Sequence, residues 1–293
     1  MGLKNDIRNK AIHQVSPLQA LLLINAGLFI LFELFHVFFW LSKTDNMVLA
    51  EIKSWLELAL EPKQLIKQPW SIITYAFMHD NFMHILFNML VLFWFGSIFS
   101  DFNRNNHRLW FFYISGALGG AFLALVAYNF IPAVHQAIPI PYLLGASAAV
   151  MCIVVATATL VPEYEVMLLL LGSVKIKYLA IAYVLIDFLS MPAGNTGGKI
   201  SHIGGAVLGY VLMRQIKRGN DPGIRILKIF DSFGPLFGQK GALKVVHRAE
   251  QKKRSEGPTQ EQVDAILDKI SQSGYESLTP NEKEILFKAS KNE

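Results

Sequence analysis

The sequence predicts an all-α integral membrane protein, and three observations carry that reading. Of its 293 residues 53% are hydrophobic, only 17% are charged, and the mean hydropathy is +0.36. Soluble domains are about 45–50% apolar and about 25% charged, so a purely soluble fold is excluded. The net charge of +5 needs no nucleic acid to explain it. Lys and Arg gather at segment ends and in the C-terminal third, as expected for cytoplasmic loops beside an anionic lipid surface. The single cysteine, Cys152, forms no intrachain disulfide. A cleavable signal peptide is not expected, because the first apolar stretch is long enough to span and no small-residue cleavage site follows it.

A helix needs about 20 apolar residues to cross a bilayer, and six segments qualify: 18–41, 72–99, 109–131, 142–161, 175–191 and 200–217. Together they predict a six-transmembrane-helix core over 1–217. Gly194-Asn195-Thr196-Gly197-Gly198 makes the turn between the last two. The apolar stretch 165–172 is too short to span and reads as an interfacial or buried loop. Residues 218–257 read as a basic linker broken by Gly and Pro. Residues 258–293 follow as a small cytosolic helical hairpin, with start signals at Thr259/Gln262 and at Thr279/Pro280/Glu282 and a stop at Gly274.

Charge sets the expected orientation. Lys4, Arg8 and Lys10 precede the first segment, and Arg104 and Arg108 follow the second. Lys175 and Lys177 open the fifth, Arg214, Lys217 and Arg218 close the sixth, and 129–141 carries no Lys or Arg. The first loop has Lys43, Lys53, Lys63 and Lys67 interspersed with acidic residues. The count favours a multi-pass protein of the cell membrane with both termini cytoplasmic.

Polar groups at membrane depth point to function. Ser147 sits in Gly145-Ala146-Ser147-Ala148, near the outer end of the fourth segment, and His202 opens the sixth in His202-Ile203-Gly204-Gly205. At 1.5 Å per residue both lie within roughly 10 Å of the outer ends of their helices, so nucleophile and base share a depth. The same small residues also suit close helix packing. Gly205 and Gly209 form a small-xxx-small face one turn below His202, and a neighbouring fourth helix would bring the imidazole to Ser147. Asp187 falls near the end of the fifth segment with no visible partner, so a Ser147–His202 dyad is expected rather than a triad. In the second segment His84 and Asn88 are four apart and share a face. Both can donate to an oxyanion, or serve as an interhelical polar staple. His79 and His84 are five apart and present no joint zinc-binding face, and H-E-x-x-H is absent. No metal or organic cofactor is expected. Glu33 and His36, three apart in the first segment, suit a structural hydrogen bond or a position near the outer interface. Cys152 reads as packing, and Asp187 without G-x-G-D does not support an aspartyl protease.

These motifs resemble the rhomboid family of intramembrane serine proteases over residues 18–217. The family's G-x-S-x corresponds to Gly145–Ala148, its H-x-x-G-x-x-x-G to His202, Gly205 and Gly209, and its H-x-x-x-x-H-x-x-x-N to His79, His84 and Asn88. The resemblance implies Ser147 as nucleophile and His202 as base, with His84, Asn88 and the Ser147 amide stabilising the oxyanion. It implies transmembrane proteins as substrates. Trp70 is similar to the tryptophan of the family's first-loop W-R pair. Ser71 stands where the arginine would be, Ala148 replaces a second glycine, and Met151 replaces an aromatic. A catalytically silent rhomboid-like binder of transmembrane clients is the first alternative. A small proton-coupled transporter is the second, disfavoured by the lack of an inverted repeat.

Overall fold

The computed structural model describes residues 15–43, 47–103, 107–168, 172–223 and 260–290. The chain divides into two units, Met1–Phe233 and Gly234–Glu293. Lys4, Arg8, Lys10, Arg104, Thr259 and all of the expected linker beyond residue 223 lie outside the described residues.

Among its described residues the first unit has six helices of 14 residues or more: α1 (Pro17–Leu41), α2 (Phe82–Phe102), α3 (His107–Phe130), α4 (Ser147–Leu160), α5 (Ile176–Leu189) and α6 (Thr196–Lys217). Three described helices, Pro17–Leu41, Phe82–Phe102 and Arg108–Phe130, are long and apolar enough to cross a membrane. α4 is apolar but has only 14 residues, about 21 Å at 1.5 Å per residue. Large apolar side chains, among them Trp40, Phe93, Phe130 and Leu189, stand exposed around the bundle. That is an all-α membrane architecture.

Small residues set its centre. α3, α4 and α6 meet at positions where a side chain would not fit. A Cβ on Gly205 would stand 2.1 Å from the Ala148 carbonyl oxygen, and one on Gly209 2.3 Å from that of Cys152. Gly116 of α3 faces Cys152 and Ala149, Gly119 faces Gly204, and Gly120 faces Ala148 and Ser201. Residue numbers rise together along α4 and α6, so these two helices are parallel, with α3 antiparallel to both. α2 is parallel to α4: its buried stripe Ile85, Asn88, Leu92, Gly96 and Phe99 faces inward, and Thr157 Oγ1 donates to the Phe95 carbonyl.

Buried polar groups tie this centre to the loop before α2. Tyr75 donates to the Ala117 carbonyl (2.7 Å) and Tyr113 to that of Ala76 (2.6 Å), while Asn25 Nδ2 reaches Tyr113 Oη (3.1 Å). The loop is itself folded. It contains helices Met47–Leu56 and Pro62–Lys67 and a two-residue strand β1 (Leu58–Ala59) antiparallel to β2 (Tyr142–Leu143). Trp70 stacks on Trp55 and donates Nε1–H to the Trp55 carbonyl. Ser71, in the position of the family arginine, is fully buried.

Three expectations need correction. The second segment was expected to be helical from 72. Instead Ser71–Thr74 and the 3-10 turn Tyr75–Phe77 precede an extended Met78, and α2 starts only after Asn81, whose side chain accepts the His84 N–H (2.9 Å). His79 therefore stands in the entry loop rather than on the helix. The fourth segment was expected from 142, but Gly145 at φ +127° breaks it, and α4 starts at Ser147. The stretch expected to be a loop at 165–172 is the antiparallel hairpin β3 (Glu165–Leu168) and β4 (Gly172–Lys175).

The second unit contains α7 (Gln260–Ser273) and α8 (Pro280–Ser290) around the 3-10 turn Tyr275–Ser277. The Thr279 signal acts as its residues suggest: Glu282 accepts from both the backbone N–H and the hydroxyl of Thr279. Lys269 of α7 binds both carboxylate oxygens of Glu282.

The glycine contacts generate a test. Gly205→Ala puts a methyl against backbone that cannot rotate away, so it should cost about 1–3 kcal/mol, read as a lower thermal unfolding midpoint in detergent. Gly27→Ala adds a methyl with nothing within 4 Å and should leave the midpoint unchanged or slightly raised. Equal midpoints for the two variants would mean that α4 and α6 are not in backbone contact.

Candidate active site

The site lies where α2, α4 and α6 begin. Ser147 is the first residue of α4, half-buried, behind Ala146 in helical conformation. Its backbone N–H is among those that a helix leaves without an internal partner. The chain reaches Ser147 through Gly145, whose N–H donates to the Tyr75 carbonyl (2.9 Å). That bond and the positive φ turn the backbone sharply into the helix, a conformation in which glycine has no steric penalty.

Gly145 also shows what surrounds the serine. A Cβ there would be 2.8 Å from His84 Nε2 and 3.5 Å from Ser147 Oγ. The missing side chain thus leaves a small space bordered by the imidazole and the hydroxyl. Asn88, one turn further along α2, is buried on the inward stripe. His79 packs edge-on against His84, with ring centroids 5.1 Å apart, and stabilises the ring that borders Gly145.

His202 projects from α6 one turn before Gly205, the residue pressed against Ala148. Its Nδ1 lies 2.6 Å from Asp187 Oδ2, and both side chains are largely buried. This corrects the expectation that no acidic residue orients His202. Along α5 alone Asp187 has no such partner. The turn between α5 and α6 carries the signal, since Asp187 and His202 lie almost symmetrically about Gly194, so an antiparallel helix pair returns them to one depth. Lys199 Nζ on the Ser190 carbonyl and Thr196 Oγ1 on that of Met191 hold that turn closed.

The remaining candidates separate clearly. Gly205 and Gly209 serve the α4–α6 contact, and Gly145 shapes the entry to Ser147. Cys152 is fully buried between α3 and α6. Met151, in the position of the family aromatic, is buried in the core. Glu33 and His36 face each other at 3.8 Å and line a cavity together with His79, Asp80 and Asn81. No group of three or more His, Cys, Asp or Glu side chains placed to hold a metal occurs among the described residues.

Apolar helices bring Ser147 to the start of α4 and pair His202 of α6 with Asp187 near the end of α5, in an all-α membrane bundle. The rhomboid domain model matches residues 67–218, more than half of the chain, and the chain belongs to the rhomboid family. A second model, of a family of unknown function (DUF6576), matches residues 247–292. The chain is similar to RHOMBOID-like protein 12, mitochondrial, of Arabidopsis thaliana, with 26% identity over 212 residues, 68% of this chain and 58% of that protein. The chain thus spans less than two thirds of that relative's length.

Gly145 separates conformational strain from contact with His84. Gly194 also has a positive φ, +111°, but open space around it. Alanine at either position carries a backbone cost of about 1–3 kcal/mol. Gly145→Ala should unfold at a lower temperature than Gly194→Ala, because its methyl also displaces His84. Equal midpoints would place His84 away from Gly145.

Proposed function

We propose that this chain is an intramembrane serine endopeptidase that cleaves peptide bonds in or near transmembrane segments of other proteins. The observation that carries the reading is the 2.6 Å contact of Asp187 with His202, on the helix whose Gly205 presses against the residue after Ser147. A carboxylate on Nδ1 fixes the imidazole tautomer, leaving Nε2 free to act as base.

In the proposed reaction Ser147 Oγ attacks the substrate carbonyl carbon while His202 Nε2 takes the hydroxyl proton. Negative charge on the carbonyl oxygen is met by the Ser147 N–H and by donors on His84 and Asn88, preorganised on α2. His202 then gives its proton to the leaving amine, the C–N bond breaks, and an acyl-serine remains. Water, deprotonated by His202, attacks the acyl carbon and releases the carboxylic acid and the Ser147 hydroxyl. Asp187 stabilises the imidazolium in both steps without changing protonation.

The proposed topology has six passes, with both termini cytoplasmic and the chain in the cell membrane. The charged ends support it: Arg108 pairs with Asp221 (2.7 Å), and Lys175 pairs with Glu163 (2.7 Å), both at the end of the bundle opposite Ser147. Because α4 is shorter than the roughly 30 Å hydrocarbon core, Ser147 is recessed and a polar cavity must admit water from the outside. A substrate helix hides its carbonyls in its own hydrogen bonds, so segments weakened by Gly or Pro should be preferred.

The test is labelling of detergent-solubilised protein by a serine-reactive fluorophosphonate, with turnover of a transmembrane model substrate. Labelling should vanish in Ser147→Ala. Asp187→Asn should fold normally and lower kcat about 10²- to 10⁴-fold, and Asn88→Ala should lower it about 10- to 1000-fold. Wild-type protein that neither labels nor cleaves would leave the silent client-binding reading in its place. Full turnover in Asp187→Asn would remove Asp187 from the mechanism.

A further inference from the structure

At the end of the bundle away from Ser147, α4, α5 and α6 part to leave a groove of about 640 Å³. Its walls are apolar: Val155 and Ala158 of α4, Ile181 and Val184 of α5, Ala206 and Val207 of α6. Three cations close one end of it, Lys177, Arg214 and Lys217.

Arg214 lies over the Tyr210 ring, 5.8 Å from its centroid, and has no carboxylate partner among the described residues. Lys217 reaches the Thr159 carbonyl (3.1 Å) at the end of α4, so its charge is held beside the groove. Lys177 shares Glu163 with Lys175. The two lysines hold that carboxyl down to about 2, and the cluster stays net positive.

The groove has the dimensions of one lipid leaflet. Along α6 it runs from Lys217 to Ala206, and along α5 from Lys177 to Leu185, about 12–16 Å at 1.5 Å per residue. Half of a bilayer's hydrocarbon core is about 15 Å. Cations at the membrane boundary and an apolar slot reaching toward the midplane match a molecule with an anionic head and an acyl tail.

We propose that this groove is a binding site for an anionic phospholipid, with the headgroup phosphate at Arg214, Lys217 and Lys177 and one acyl chain between α5 and α6. The commitment to a lipid follows from charge complementarity at one end only. A transmembrane helix of a partner would leave the net positive charge of this cluster unmatched in the interface. The inference does not depend on catalysis. It has a structural consequence all the same, since α5 carries Asp187, and a chain wedged between α5 and α6 sets their spacing below the Asp187–His202 contact.

Native mass spectrometry on the full chain, released from a neutral detergent with equimolar phosphatidylglycerol and phosphatidylcholine, tests the site. Phosphatidylglycerol should be retained over phosphatidylcholine by about tenfold or more. Arg214→Gln with Lys217→Gln should bring the ratio within about twofold of parity, whereas Lys53→Gln, at the other end of the bundle, should leave it unchanged. Val207→Trp fills the slot with every cation in place and should also reduce retention of phosphatidylglycerol. Thermal midpoints check folding, and if loss of Lys217 unfolds the chain, Arg214→Gln alone decides. Equal retention of the two lipids by wild type overturns the proposal, as does a preference that survives both the charge and the groove variants. A stable dimer that loses its contact in Val207→Trp would assign the groove to a second copy of this chain instead.

Discussion

The absence of side chains at Gly205 and Gly209 allows α4 and α6 to touch backbone to backbone, and the rest of the bundle depends on that contact. Helices in lipid gain little from burying apolar surface against each other, so close van der Waals packing supplies much of their association. Here two consecutive turns of α6 press on Ala148 and Cys152, and α3 adds Gly116, Gly119 and Gly120 from the other side. The spacing leaves no room for sliding. A one-residue slip of α6 would put Leu208 or Tyr210 in the place of Gly209, where only a hydrogen fits. The contact therefore fixes the height of His202 relative to Ser147 as firmly as it fixes the fold.

The loop before α2 plays the second part. Tyr75 and Tyr113 tie it to α3, β1 pairs with β2, and the Tyr75 carbonyl accepts from Gly145. The segment entering α4 is thus built by residues about 70 positions earlier in the chain. Function and fold share these groups, since the same short stretch that positions Tyr75 leads through His79 to the cap at Asn81 and then to His84.

Much of this was legible in the sequence. Helical periodicity is irrelevant when every face is apolar, so length and hydropathy revealed the long segments, while Gly205 and Gly209 at four-residue spacing revealed the packing face. The starts of α2 and α4 were not legible. Residues 75–78 and 142–146 are apolar enough to continue a helix by composition, and the bonds of Tyr75 to Ala117 and Gly145, with the Asn81 cap, decide against it. Asp187 was hidden for a different reason. An acid and a base 15 residues apart have no local relation, and only folding α5 back on α6 about Gly194 brings them together. The hairpin β3–β4 shows in the alternation of exposed and half-buried residues along Glu165–Leu168 and not in the length of the stretch.

The parallel course of α2, α4 and α6 has an electrostatic consequence. Each helix carries a dipole whose positive end is its N-terminus, with an influence confined to about the first turn. Ser147 is the first residue of α4, so any negative charge arising on an atom bound there meets that positive end directly. The antiparallel α3 does not cancel it. Gly120 stands level with Ala148, and α3 continues to Phe130, which carries its negative end about 15 Å further on. The offset in helix length keeps the negative end of α3 away from the serine, so the start of α4 favours an anion there.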